Sequence, residues 1–229
     1  IDLCSLDGLE AADADRYLCL AGIDDELLRG RLIRHATGDD DRAHPYFLGL
    51  LADAADQAAR QNKRLADELE AEPSIESRER QLVSRFMAWV APEIHDAIVA
   101  CAAARSFDRS SFTALGQALS FVASNAAFDC LLAFSFVSRV GARDETDRFQ
   151  IHLLLRRALE RLAPDEMRRA HEALLAYHES HAADGSFDDE VEAIYHRSWL
   201  DPESGVERWI ALAGGCLDGG RFERHDERR

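Results

Sequence analysis

Apolar residues return at helical spacing along almost the whole chain, and one short stretch breaks that rhythm. Leu18, Leu20, Ile23, Leu27, Leu28, Leu32 and Ile33 follow the period of a helix that buries one face. Between Phe136 and Ile151 the period changes to alternation. Phe136 to Val140 and Arg148 to Ile151 read as two short strands around the polar turn GARDETD. These features predict a mainly α protein with a single β-hairpin set among helices.

Punctuation residues divide the helical remainder. In residues 7 to 35, Ala21-Gly22 predicts a helix stop and Asp24-Asp25 the start of the next helix, where carboxylates are favoured. The stretch TGDDDRAHPYFLGLLADA passes from a polar loop to a helix begun by Pro45, with Phe47, Leu48, Leu51 and Ala55 on one side. Residues 70 to 79 contain Pro73 and Ser74 with little apolar periodicity, which predicts a boundary near residue 73. Residues 1–73 are therefore expected to form a small helical domain.

Beyond residue 78 a helix runs from Phe86 to Ala104 with a break at Pro92. A second helix is expected from Ser110-Ser111, whose hydroxyls suit N-caps, and a third from Ala126 to Phe134. The hairpin follows, and Leu154, Leu155, Ala158, Leu159 and Leu162 mark a closing helix. Three helices, a hairpin and a closing helix in about 85 residues is the order of a winged-helix domain, assigned to residues 74–163. Residues 164–229 hold three further helical stretches that look like stacked pairs, a TPR-like region without a firm repeat of about 34 residues.

Charge bears on partners. The net charge is −16, carried as 17 acids and 8 bases in residues 1–73, 10 and 11 in 74–163, and 16 and 8 in 164–229. Phosphate backbones are held by clustered Lys and Arg, so the outer thirds exclude themselves from nucleic-acid binding. The expected third helix of the winged helix, SNAAFDCLLAFSFV, contains no Lys or Arg, which argues against groove recognition by the middle third. The sequence lacks an apolar run long enough to span a membrane, and its N-terminus lacks the signal-peptide pattern. Five widely spaced cysteines, mostly set among apolar neighbours, fit reduced core thiols better than a disulfide framework, and the expected location is the cytoplasm. The chain begins with Ile1 and is read as a piece of a longer protein.

Self-contained chemistry is hard to find. Lys63, the only lysine, lies in RQNKRL, so a Gly-rich phosphate loop ending in Lys is excluded. His171 and His178 are about two helical turns apart, too far for adjacent-turn chelation, so these and His181 and His196 are expected as exposed or interfacial histidines and no metal site is assigned. Asp24-Asp25, Asp39-Asp40-Asp41 and Asp188-Asp189 sit where helix starts and loops favour carboxylates. No catalytic residue is assigned, and no nucleophile motif such as G-x-S-x-G occurs.

The order of parts nevertheless resembles the region that follows the nucleotide-binding core in STAND-class P-loop ATPases of the NB-ARC and apoptosome type. AHPYFLGLLADA looks like the family's G-x-P segment, whose proline packs near the adenine, and Pro45 would take that role. FQIHLL looks like the family's MHD motif, whose histidine contacts the β-phosphate of bound ADP. His152 matches it, with Ile151 in place of Met and Leu153 in place of Asp.

The resemblance implies a regulatory fragment of an ATP/ADP switch that binds ADP or ATP, with Mg in the full-length protein. Its partners would be the missing P-loop NTPase core and unidentified signalling proteins, with oligomerisation on activation. Other readings of the same residues remain. Pro45 is also an ordinary helix-starting proline, and His152 a junction histidine satisfied by backbone groups. Two alternatives use the same parts: a winged-helix DNA-binding regulator, resting on the three-helix-plus-hairpin order alone, and a helical TPR-like adaptor without nucleotide.

Overall fold

A computed structural model of the chain describes residues 8–38, 41–61, 75–140 and 147–219. Among these residues lie eleven helices and one two-stranded antiparallel sheet, a mainly helical protein. The boundary expected near residue 73 and most of the GARDETD turn lie outside the described residues.

Helices α1 (Ala11–Leu20) and α2 (Glu26–Ala36) form where the punctuation places them. Gly22 takes φ of +85°, a conformation open to glycine, and the Asp25 carboxylate accepts hydrogen bonds from the Leu27 and Leu28 N–H groups at 2.9 and 3.1 Å. Pro45 then opens α3 (Pro45–Arg60) at its first position, where a missing N–H is harmless. Periodicity predicts burial on one side of α3, yet Tyr46, Phe47, Leu48, Leu50, Leu51, Ala52, Ala54 and Ala55 are all buried. The reason is position: α3 packs between α1 and α2 on one side and α4 (Ile75–Trp89) on the other.

Helix α5 (Pro92–Ala103) restarts at Pro92 and is buried from Ala97 to Ala103. It touches α6 (Arg109–Leu119), α7 (Asn125–Leu132) and α9 (Pro164–Ala182), so nearly every side of it faces protein. The N-cap of α6 is Asp108 rather than Ser110 or Ser111. Ser111 instead closes a reciprocal capping box, its N–H donating to Asp108 Oδ1 at 2.8 Å and its hydroxyl receiving the Asp108 N–H at 2.9 Å. A carboxylate at the dipole's positive end outcompetes a hydroxyl one turn further in.

Strands β1 (Val137–Val140) and β2 (Arg148–Ile151) pair antiparallel, with Val137 opposite Ile151 and Val140 opposite Arg148. On the other edge of β2, Phe107 exchanges two backbone hydrogen bonds with Phe149, at 2.7 and 2.8 Å. Phe107, Phe112, Phe128 and Phe149 then pack against one another and seal this sheet onto α6 and α7.

Helix α8 (Leu153–Leu162) runs into α9 with Ala163 alone between them, where the expected boundary at 163 falls. Helices α10 (Phe187–Leu200) and α11 (Pro202–Gly219) follow. One continuous buried core extends from Ala14 on α1 to Leu174 on α9. No helix among the described residues is long and apolar enough to cross a membrane. Of the cysteines, Cys101 is buried, Cys130 partly so, and Cys19 exposed, which corrects the expectation of core thiols for Cys19. Burial raises the Cys101 thiol far above its ordinary pKa and holds it neutral.

Candidate functional site

Pro45 and His152 line the same pocket. Pro45 stands on the first turn of α3, and His152 stands at the junction of β2 and α8. Between them the structure places Leu9, Tyr17, Tyr46 and Ser135, around a cleft of about 350 Å³.

Local chemistry fixes each wall. Ala43 pairs with Leu9 and Thr37 through isolated β-bridges, so the loop entering Pro45 is held on both sides. The His152 N–H donates to Phe136 O at 2.8 Å, and its Nδ1 accepts the Leu154 N–H at 3.3 Å. His152 is thus the N-cap of α8, and with Nδ1 accepting, the proton belongs on Nε2. One face of the imidazole is covered by Tyr46, with ring centroids 4.5 Å apart and planes 17° from parallel. Burial, and then the nearby His44, lower the His152 pKa, so the ring is neutral near pH 7.

A second tie runs beside the first. The Asp53 carboxylate, one helical turn beyond Gly49 on α3, accepts the Ser135 N–H at 2.9 Å and the Ser135 hydroxyl at 2.7 Å. Burial pushes the Asp53 pKa up to about 6, against the pull of these two hydrogen bonds. Burial and the neighbouring Asp53 likewise raise the Tyr17 pKa. Close approach here needs Gly49, where an added Cβ would lie 2.6 Å from Ser135 Oγ.

Chemically, the cleft offers a proline ring, two phenol rings and one imidazole N–H. Among the described residues no Lys or Arg lines it, so these residues provide no countercharge for an anion. Tyr46 and Ser135 were not singled out by sequence. The motif AHPYF contains Tyr46 next to Pro45, but its stacking partner lies in the other half of the fold.

Other sequence candidates are placed differently. Helix α7 carries no basic residue, and Arg109 of α6 lies across it, bonded to Asn125 and Asp129 and stacked over Phe128. That arrangement leaves α7 without the cationic face that groove recognition uses. Arg197 and Arg208, which border a cleft between α9, α10 and α11, are already paired with Glu179 and Glu190. Asp25 is a helix cap, Asp41 lies in a loop with φ of +57°, Asp188 lies in the first turn of α10, and Asp39 and Asp40 lie outside the described residues.

His171, His178 and His196 are interfacial, filling the seam between α9 and α10, while His181 is exposed. Sequence spacing judged His171 and His178 as a pair, but His178 faces His196 and Glu192 instead. The overlooked signal was the four-residue spacing of Glu192 and His196, which puts both on one face of α10. No protein-family model matches this chain, and comparison with curated proteins and with solved structures likewise finds no match.

Proposed function

We propose that this chain is the regulatory part of a STAND-type ATP/ADP switch, in which a small helical domain and a winged helix clamp the nucleotide between Pro45 and His152. One observation carries it: Pro45 and His152, remote in sequence, line one pocket and are bridged by Tyr46. Support for the winged helix comes from the order α5, Phe107, α6, α7, β1, β2, with Phe107 pairing on the outer edge of the hairpin.

Pro45 offers a flat ring without an N–H to a base, and His152 Nε2–H is a donor of the kind that meets a phosphate oxygen. Leu153, where the family has Asp, opens α8 and is 52% exposed. With no cation among the described residues of the cleft, the phosphate charge would be met by a P-loop Lys and Mg on a core domain outside this sequence. A switch requires different contacts with ADP and ATP, and His152 is the group positioned to make that difference. Helices from α9 onward would then lead to the sensor, and the signalling partner and activated oligomer belong to the same proposal.

The test uses the protein that carries this segment together with its P-loop core, purified and assayed for retained nucleotide. His152→Ala should release ADP at least tenfold faster and raise basal output. His152→Asn can still cap α8 and separates loss of ligand contact from loss of fold. Unchanged ADP retention in both variants would overturn the proposal, as would a coding sequence with no P-loop upstream of Ile1.

A further inference from the structure

Away from the cleft at His152, the seam between α9 and α10 concentrates histidines. His171 and His196 are 1% and 0% exposed, and His178 is 9% exposed. His171 Nδ1 and His196 Nδ1 lie 2.8 Å apart, so one ring donates to the other. His178 Nδ1 lies 2.7 Å from Asp189 Oδ1, and the His178 and His196 rings are nearly parallel with centroids 5.6 Å apart. The remaining His196 nitrogen, Nε2, is buried and has no hydrogen-bond partner among the described residues. Native interiors rarely leave such an atom unpaired, and its neighbours explain why it could be tolerated here.

One ring nitrogen from each of His178 and His196 and a carboxylate oxygen of Glu192 lie within 4.8 Å of one another. We propose that His178, Glu192 and His196 form a binding site for a divalent transition-metal ion of the zinc class. The hydrogen bonds already present are those a metal site needs. Asp189 engages His178 Nδ1 and leaves Nε2 to ligate, an arrangement that fixes the ring and strengthens it as a donor. His171 engages His196 Nδ1 and leaves the orphaned Nε2 to do the same.

Ligating imidazoles must be neutral. Two imidazoles and one carboxylate suit zinc, whereas calcium and magnesium take all-oxygen sets. Donor atoms around a tetrahedral zinc lie roughly 3.3 Å apart, given bonds of about 2.0–2.2 Å, so modest side-chain rotation closes the set and leaves a fourth position for water.

Glu192 has a competing partner. Arg105 Nε and a terminal guanidinium nitrogen donate to its two carboxylate oxygens at 3.1 and 2.7 Å. The Arg105 side chain is about half exposed and can swing to solvent, away from an incoming dication. Arg105 lies between α5 and Phe107, so metal entry would exchange a tie between α10 and the hairpin-bearing segment for a bond between α9 and α10.

The whole 229-residue chain, stripped with a chelator, is the sample. Zn²⁺ should bind with a stoichiometry of one by calorimetry and raise the unfolding temperature. Co²⁺ should give the visible bands of a tetrahedral site without a thiolate charge-transfer band. His178→Gln and Glu192→Gln should each weaken Zn²⁺ at least tenfold, Asp189→Asn about tenfold or more, and Arg105→Gln should tighten it severalfold. The proposal falls if wild type shows no stoichiometric Zn²⁺ or Co²⁺ signal, if cobalt reports thiolate ligands, or if the folded variants bind as wild type does. The nucleotide clamp is untouched by any of these outcomes.

Discussion

The imidazole of His152 stacks on the phenol ring of Tyr46, 4.5 Å between centroids, although one residue belongs to the first turn of α3 and the other caps α8. This contact joins the helical N-terminal part to the hairpin. His152→Ala removes both a helix cap and an aromatic contact, which together should cost about 1–3 kcal/mol of unfolding free energy. His152→Asn should recover the capping part alone, and urea unfolding of the three proteins measures the split.

Tyr46 is 8% exposed and carries the larger side chain of the pair. Tyr46→Ala should destabilise by about 3–5 kcal/mol, as expected for truncating a buried aromatic. Tyr46→Phe keeps the stack and should cost far less. Equal losses for the two substitutions would show that ring stacking contributes little.

Asp53 makes stability depend on pH. Its folded pKa, about 6, is raised above the ordinary 3.8, so the folded state holds this proton more tightly than the unfolded chain does. The contribution from Asp53 is complete below about pH 4 and is lost as pH rises to 6 and beyond. Relative to Asp53→Asn, wild type should therefore lose stability across that window. Unfolding curves of both proteins at pH 4, 5, 6 and 7 give the difference directly, and a flat difference would contradict the assignment.

Gly49 allows α3 to meet Ser135. Gly49→Ala gains helix propensity of about 1 kcal/mol but forces a Cβ to within 2.6 Å of Ser135 Oγ, so the Asp53 hydrogen bonds must loosen. A net loss of about 1–2 kcal/mol is expected from overpacking. Combining it with Ser135→Ala should relieve part of the loss in a double-mutant cycle.

The capping box at α6 separates two neighbouring candidates. Asp108→Ala should cost about 1 kcal/mol, the usual effect of deleting a cap. Ser110→Ala removes only an exposed 3.0 Å hydrogen bond to Tyr177 and should change stability by less than about 0.5 kcal/mol. Thermal unfolding of both variants checks the order.

Local signals were legible in the sequence wherever the physics is local. Gly22, Asp25, Pro45 and Pro92 each determine a helix end through backbone freedom, a side-chain acceptor or a missing N–H, and the structure ends or begins helices there. Alternation between Phe136 and Ile151 likewise determined the hairpin, because a two-residue period has no helical reading. Only tertiary structure decided which residues meet. Tyr46 reaches His152, Asp53 reaches Ser135, and His178 reaches Glu192 and His196 across helix seams. Periodicity tells that a face is buried but not against what, since burial of apolar area is non-directional. The pairings therefore came from packing the whole core, in which Pro45 and His152 were brought to one cleft.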